Sequence, residues 1–159
     1  RVLGARTIIA ADLNPLRLEL AARLGADRTV DAARESVPDA VRDLTAGQGV
    51  DVGIEYSGSE AGFRAVYESI TKGGDFRLVG APPQAISVDF TFWLQKCPRM
   101  INIHGRRIWD TWEVSTALIR DKKVDIMPIA SHILPLSEGP KGFELITRGE
   151  ALKPILIPN

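Results

Sequence analysis

The sequence has 159 residues, with 20 Lys+Arg and 20 Asp+Glu, so its formal net charge is +0. A neutral chain without a basic run argues against nucleic acid or an anionic membrane surface as a partner, and no apolar run is long enough to span a bilayer. The single cysteine, Cys97, rules out an internal disulfide and argues against a structural zinc site, which needs several ligands. These features favour a reducing, cytoplasmic setting, in which we expect Cys97 to be buried and structural rather than reactive.

Signals for strands and helices alternate along the chain. Gly4 predicts the end of a helix tail at 1–3, and the chain begins at Arg1 rather than Met, which leaves open whether this end is native. The predicted strands are 7–11, 28–30, 50–56, 76–79, 100–104, 133–136 and 155–157, and the predicted helices are 15–24, 37–45, 59–71, 112–122 and 138–147. This alternation predicts an α/β fold with a doubly wound parallel sheet covered by helices.

Asp12 follows the first buried strand, and Asn14 and Pro15 then begin a helix. In a dinucleotide-binding fold an acidic residue at the end of the second strand accepts hydrogen bonds from the adenosine ribose and repels a 2′-phosphate. Asp12 in that role favours NAD over NADP, and Arg17, in the first turn of the helix, can reach back over the ribose. The alternative is that Asp12 only caps the helix, and the local sequence does not decide between the two.

No stretch of the sequence provides the glycine loop that should accompany such a strand. The segment Gly47-Gln48-Gly49 has the GxG spacing, but it precedes a strand, whereas a phosphate-binding loop follows a strand and opens a helix. We therefore expect the first strand of the sheet and its glycine loop to be missing from these residues.

Small residues follow two further strands. Ser57-Gly58 follows VDVGIEY, and Gly80-Ala81 follows FRLV. Ligands of open parallel sheets bind beyond the carboxyl ends of the strands, where small residues let a flat ring approach the backbone. Ordinary turn chemistry accounts equally well for each pair taken alone.

The segments RLELAARLGAD, GVDVGIEYSG, IHGRRIWDTW and GFELITRGEALKPILIP, together with the VGAPP turn and ASHILPL, resemble the medium-chain zinc-dependent alcohol dehydrogenase superfamily. Within that superfamily the sequence is most similar to the L-threonine 3-dehydrogenase branch. The resemblance covers nearly the whole chain and implies the C-terminal part of such an enzyme. It implies an incomplete Rossmann domain over 1–109, followed by a returning segment of the catalytic domain over 110–159.

The resemblance also implies roles for individual residues, all of them in cofactor binding. Asp12 holds the adenosine ribose with Arg17 over it, and Ser57 and Gly58 line the cofactor cleft. Val79, Gly80 and Ala81 pass behind the nicotinamide, and Ile103 and His104 offer backbone near its carboxamide. Arg106 lies near the pyrophosphate or the nicotinamide ribose, and Lys153 lies on the pyrophosphate. The resemblance places the zinc ligands and the proton-relay residues outside this chain, so we expect no catalytic and no metal-binding residue in it.

Several of these residues have a plain structural interpretation as well. Arg106 can be a surface charge in a solvated turn, and His104 is more often a packed strand residue than a catalyst. Trp93, Trp109 and Trp112 are most simply core or interface residues. Tyr56 departs from the small residue usual in the family, and a ring there can crowd the adenine side beside Ser57.

Two hypotheses from different classes follow. In the first, the chain binds and orients NAD for a zinc-dependent enzyme that takes a hydride from threonine or a similar small alcohol or polyol. In the second, it is a truncated, non-catalytic nucleotide-binding or dimerisation module. The resemblance implies that such a module forms a dimer or tetramer through the strand at 100–104, and we expect another chain to supply the missing first strand.

Overall fold

The computed structural model describes residues 1–158, which form two compact units. The first unit combines Arg1–Ala33 with the residues from Arg107 onward, and the second is Arg34–Arg106. Compact units need not coincide with the domains of a family, so the expected boundary between residues 109 and 110 stays a prediction.

Seven strands and six α-helices alternate along the described chain. The strands are β1 (Ile9–Asp12), β2 (Arg28–Asp31), β3 (Val50–Glu55), β4 (Ile70–Leu78), β5 (Arg99–Asn102), β6 (His132–Pro135) and β7 (Pro154–Ile157). The helices are α1 (Pro15–Arg23), α2 (Val37–Leu44), α3 (Glu60–Ser69), α4 (Phe90–Lys96), α5 (Asp110–Arg120) and α6 (Gly139–Thr147), with single 3-10 turns at Met127–Ile129 and Leu136–Glu138.

All strand pairs are parallel, which confirms the predicted class of sheet. In the first unit β1 pairs with β2 and β6 pairs with β7. In the second unit the strand order is β3-β4-β5. Among residues 1–158, β1 pairs only with β2, and β3 pairs only with β4, so each of these strands has an unpaired edge.

Asn14 fixes the beginning of α1 in the first unit. Its side-chain oxygen accepts a hydrogen bond of 2.8 Å from the Leu16 amide, and Pro15 fills the first helical position. The Asn14 amide nitrogen Nδ2 donates to the Gly149 carbonyl at 2.8 Å. One side chain therefore caps α1 and joins it to the turn after α6.

The second unit is built around an aromatic core between α3 and the sheet. Phe63, Tyr67, Ile70 and Phe76 are buried, and the rings of Phe63 and Phe76 have centroids 4.8 Å apart. Ser59 begins α3 by accepting a 2.9 Å hydrogen bond from the Gly62 amide. The apolar face of α3 thereby lies against β4, and the carboxyl ends of β3 and β4 meet at one edge of the sheet.

Helix α4 was not predicted from the sequence. Asp89 caps it by accepting a 2.8 Å hydrogen bond from the Thr91 amide, and Trp93 stacks on Tyr67 with centroids 4.8 Å apart and an interplanar angle of 11°. Trp93 was predicted to be a core or interface residue, and it is partly buried and packs against the core. Trp109 and Trp112 are 70% and 52% exposed, so they are not core residues of either unit.

Three local predictions were wrong. Residues 1–3 form a turn rather than a helix tail, closed by a 2.9 Å hydrogen bond from the Gly4 amide to the Arg1 carbonyl. The helix predicted over 59–71 ends at Ser69, because Ile70 is already extended and begins β4. Cys97 is exposed, because it ends α4 in the left-handed conformation with φ 48° instead of packing in the core.

No helix formed by residues 1–158 has the length and apolar character needed to cross a membrane.

Candidate functional site

Asp12 ends β1, and its carboxylate faces the beginning of α1. Oxygen Oδ1 accepts a 2.9 Å hydrogen bond from the Asn14 amide, and Oδ2 lies 3.5 Å from Nη1 of Arg17. The side chain of Asp12 is 31% exposed. The helix cap itself is Asn14, so Asp12 shapes the turn before the cap and has its second oxygen beside a cation.

The carboxyl edge of the second unit brings together most of the other predicted residues. Gly58 is buried in the left-handed conformation with φ +69°, and a Cβ atom there would lie 2.6 Å from the Ala81 carbonyl oxygen. A Cβ atom on Gly80 would lie 2.2 Å from the Gly58 amide nitrogen. Real Cβ atoms do not approach that closely, so both positions require glycine, and the turns after β3 and β4 touch each other.

Glu55, a residue that the sequence pattern did not single out, lies beneath these two turns. It is the last residue of β3 and is only 3% exposed. Its Oε1 accepts hydrogen bonds from the Ser57 amide at 2.7 Å and from the Ser57 hydroxyl, and its Oε2 accepts one from the Gly58 amide at 2.9 Å. The signal that could have identified it is an acidic residue at the end of a buried strand, the same signal that identified Asp12.

The hydroxyl groups of the β3 turn form a directed chain. The Ser57 hydroxyl donates its one proton to Glu55, so it accepts from the Ser59 amide at 3.1 Å and from the Ser59 hydroxyl at 2.8 Å. The Ser59 oxygen in turn accepts from the Gly62 amide at the beginning of α3. The buried carboxylate is thereby connected to the helix that follows.

Val79 and Gly80 are held to β3 by the backbone. Their amides donate to the Glu55 carbonyl at 2.9 Å and 3.0 Å, and the Ile103 amide donates to the Leu78 carbonyl at 2.8 Å. Ile103 thus extends the pairing of β5 with β4 by one bond. The predicted residues of this edge are brought together by main-chain geometry as well as by glycine.

The remaining predicted residues are exposed. His104 and Arg106 follow the end of β5, so the prediction of a packed strand position for His104 was wrong. Lys153 lies in the first unit, immediately before β7, where its amide donates to the Ser131 hydroxyl at 3.2 Å. Tyr56 is 72% exposed, so its ring does not fill the space beside Ser57 within the second unit.

The predicted residues divide between the two units. Asp12, Arg17 and Lys153 belong to the first, and the others belong to the second. Their roles in cofactor binding stay predictions.

His, Cys, Asp and Glu side chains are the usual zinc ligands in proteins. Among residues 1–158, His, Cys, Asp and Glu side chains form no group of three that could hold an ion.

Comparison with known proteins decides the family. Residues 1–121 match the model of the zinc-binding dehydrogenases. The chain belongs to this zinc-binding dehydrogenase family. The resemblance inferred from the sequence is thereby confirmed.

Relatives of this dehydrogenase chain include curated L-threonine 3-dehydrogenases. The protein from Alteromonas mediterranea is 36% identical over 153 residues, which cover 96% of this chain and 45% of the relative. The protein from Burkholderia mallei is 37% identical, with 96% of this chain and 44% of the relative covered. The chain thus spans slightly less than half the length of the curated relatives it matches.

Solved structures agree with the fold. An alcohol dehydrogenase from Thermus sp. ATN1 matches with a TM-score of 0.92 and 33% identity, covering 99% of this chain and 46% of that one. An alcohol dehydrogenase from Thermotoga maritima matches with a TM-score of 0.87 and 29% identity, covering 99% and 44%. The parallel sheets and their helices therefore have the architecture of one part of a medium-chain dehydrogenase.

Proposed function

We propose that this chain is the NAD-binding portion of a dehydrogenase that oxidises threonine or a similar small secondary alcohol or polyol. The observation that carries the proposal is the carboxylate of Asp12. One of its oxygens accepts a hydrogen bond from the Asn14 amide, and the other lies 3.5 Å from Nη1 of Arg17, in a side chain that is 31% exposed. A partly exposed carboxylate at the end of a strand is an acceptor for ribose hydroxyls, and it disfavours a 2′-phosphate.

The carboxyl edge of the second unit supports the same proposal. The turns at Ser57-Gly58 and Gly80-Ala81 present main chain rather than bulky side chains, so a flat nicotinamide ring can lie against them. Val79 and Ile103 hold the strand ends in place, His104 offers backbone near the carboxamide, and Arg106 and Lys153 offer charge for the pyrophosphate.

In this proposal, the residues that bind and oxidise the alcohol lie in another part of the protein. NAD, when bound, supplies the acceptor for a hydride from the alcohol carbon. The residues of this chain bind the cofactor and orient it. We place the zinc ligands and the group that takes the alcohol proton outside these residues, and we place the protein in the cytoplasm, where the exposed Cys97 thiol remains reduced.

The test uses the complete dehydrogenase and two matched variants. Asp31 ends β2 directly opposite Asp12 and accepts a 3.0 Å hydrogen bond from the Ala33 amide, so it has the same kind of turn without having been predicted to bind cofactor. We expect Asp12→Ser to weaken NAD binding by about tenfold or more, the loss of one or two hydrogen bonds to a charged acceptor, and to relax the preference over NADP. Asp31→Ser should change the NAD to NADP ratio much less, and equal effects of the two substitutions would remove Asp12 from the site.

The substrate is tested separately. NAD-linked oxidation of threonine, a polyol and butanediol by the complete protein should show a clear preference for a secondary alcohol. A protein that binds NAD but oxidises none of these would contradict the proposed substrate and leave the binding role intact.

A second role in assembly is favoured by β5. This strand is bonded to β4 on one side only, all four of its residues are exposed, and Met100 and Ile101 are 40% and 39% exposed. An exposed, unpaired edge is a template for another strand. We propose that β5 pairs with its copy in a homodimer, and that another segment or chain supplies the missing first strand of the sheet.

Sedimentation of the complete protein tests the dimer. Ile101→Lys should shift it toward monomer, whereas Ile133→Lys, a substitution on an exposed residue of β6, should not. A dimer unchanged by Ile101→Lys would place the interface elsewhere.

A further inference from the structure

Glu55 is a buried carboxylate that the proposed cofactor contacts do not require. It is 3% exposed, and no cation is among its hydrogen-bond partners in the described residues. Burying a carboxylate is costly unless hydrogen bonds replace its water. Three donors from Ser57 and Gly58 provide that replacement, so the charge is held by the turn after β3.

The same residue also touches the turn after β4. A Cβ atom on Gly80 would lie 2.5 Å from Glu55 Oε2, which means that the α-carbon of Gly80 packs directly over the carboxylate. The Glu55 carbonyl oxygen accepts hydrogen bonds from the amides of Val79 and Gly80. One residue therefore fixes both turns that are proposed to receive the nicotinamide half of the cofactor.

The direction of the hydrogen bonds explains why a carboxylate is needed here. Glutamine has the same length but only one acceptor oxygen, and its amide group is a donor. If that oxygen faces Ser57, the amide group points at the Gly58 amide, and two donors oppose each other. If the side chain is reversed, the same conflict arises at Ser57, so a carboxylate, with two acceptor oxygens, can hold both amides and a glutamine amide cannot.

We propose that Glu55 is a positioning residue for dinucleotide binding. Its carboxylate locks the Ser57-Gly58 turn against Gly80, and this keeps the main-chain surface beneath the nicotinamide in one arrangement. The inference rests on the proposed NAD-binding function and deepens it, because it assigns the shape of that surface to a residue that does not itself contact the cofactor.

The principal experiment compares Glu55→Gln with Asp75→Asn in the complete dehydrogenase. Asp75 is a matched control because it is a buried acid of the same sheet, 5% exposed, held in the body of β4 by ion pairs to Arg77 and, at 2.6 Å, to Arg99. Glu55→Gln should raise the Kd and KM for NAD by about tenfold, because losing one internal hydrogen bond to a charged group leaves the turn in its binding arrangement in only about a tenth of the molecules. It should leave kcat and the KM for the alcohol nearly unchanged, and Asp75→Asn should lower stability without changing the Kd for NAD.

A second readout needs no cofactor. Hydrogen exchange of the Ser57 and Gly58 amides in the cofactor-free protein should accelerate by about tenfold or more in Glu55→Gln, because one of these amides loses its acceptor. In Asp75→Asn these two amides should exchange at the rate of the unsubstituted protein.

Gly62→Ala is a second variant that disturbs the Glu55 carboxylate, and it serves if Glu55→Gln does not fold. A Cβ atom on Gly62 in α3 would lie 2.6 Å from Glu55 Oε1 and 2.5 Å from the Ser57 hydroxyl oxygen. Gly62→Ala adds a residue that helices favour but displaces both groups, so it should weaken NAD binding in the same direction.

The outcomes separate the two proposals. If the unsubstituted protein binds no NAD, the proposed function itself fails, whatever the exchange rates are. If it binds NAD and both Glu55→Gln and Gly62→Ala bind it equally well, the positioning role of Glu55 is overturned and the carboxylate is only structural.

Discussion

Gly80→Ala tests the close approach of the two turns, because one methyl group has no space there. The added Cβ atom would lie 2.2 Å from the Gly58 amide nitrogen and 2.8 Å from the Gly58 α-carbon, and 2.5 Å from Glu55 Oε2. Gly80 does not have a positive φ. The whole effect of the substitution is therefore steric, with no contribution from backbone conformation.

The size of the effect follows from which atoms are in the way. Two of the three are backbone atoms of a buried turn, and the third belongs to a carboxylate fixed by three hydrogen bonds. None of them is the far end of a flexible side chain that could move aside. Adding a methyl group to a well-packed site costs about 1–3 kcal/mol, and we expect Gly80→Ala to lie near the upper value, about 3 kcal/mol.

The control is the same substitution where space exists. A Cβ atom on Gly142, inside α6, would meet Pro154 at 3.5 Å and Leu134 at 3.6 Å, which are ordinary van der Waals distances. Because glycine destabilises a helix interior relative to alanine, Gly142→Ala should stabilise by about 0.5–1 kcal/mol. The same Gly→Ala substitution should therefore lower the free energy of unfolding at Gly80 and raise it at Gly142.

The assay is urea unfolding of the complete protein, with midpoint and slope fitted for each variant. A second measurement is NAD binding, which Gly80→Ala should weaken because the turn proposed to lie beneath the nicotinamide must shift. A Gly80→Ala protein with an unchanged midpoint, or a Gly142→Ala protein that loses more stability than Gly80→Ala, would refute the steric argument.

Three further predictions concern single side chains. Asn14→Ala should destabilise the protein by about 1–2 kcal/mol, measured by urea unfolding, because the cap of α1 and the bond to Gly149 are both lost. Tyr67→Phe should be neutral or slightly stabilising, because the buried Tyr67 hydroxyl has no hydrogen-bond partner within residues 1–158. Burial, with a smaller effect from the charge of Asp89, raises the pKa of Tyr67 above its ordinary 10.0, so the folded state keeps a proton that the unfolded state releases. Its contribution to stability is therefore complete below about pH 10 and is lost as the pH rises through the higher folded value, and this alkaline slope should be absent in Tyr67→Phe. Cys97, which is exposed, should react with a thiol reagent in the native protein without denaturant, and protection until unfolding would contradict its exposure.

The order of the elements was predictable because periodicity and turn residues agree over most of the chain. Asn14-Pro15 marks the beginning of α1, and the observed helix begins at Pro15 as expected. Helix α4 was missed because its seven residues are too short for a periodic signal, and because Pro98 closely follows it. Its position is fixed by tertiary packing of Trp93 on Tyr67, which no local pattern contains.

The candidate site was less predictable than the fold. The ends of β3 and β4 can be read from the sequence, and parallel strands bring their carboxyl ends to one edge, so Gly58 and Gly80 were expected there. The contact between them, and the carboxylate beneath them, could not be placed, because both depend on the register of β3 against β4. Glu55 pairs with Leu78 in that register, which brings the residues after each strand together.

Three of the strands end in an acidic residue, and all three of these residues make the same kind of turn. Asp12, Asp31 and Glu55 each end a parallel strand, and each accepts a hydrogen bond from the amide two residues further on, at 2.9, 3.0 and 2.7 Å. The shared feature is turn chemistry, so an acidic residue at a strand end does not by itself identify a ligand site.

Glu55 and Asp12 differ in what surrounds the second carboxylate oxygen, Oε2 in Glu55 and Oδ2 in Asp12. In Glu55 this oxygen belongs to a buried side chain and accepts a hydrogen bond from the Gly58 amide, so Glu55 shapes the turn and does not face a ligand. In Asp12 it lies in an accessible side chain beside Arg17, which leaves it able to accept from a ribose. The same residue class in the same position of a strand therefore supports two different roles, and the difference follows from burial and hydrogen bonding rather than from the sequence pattern.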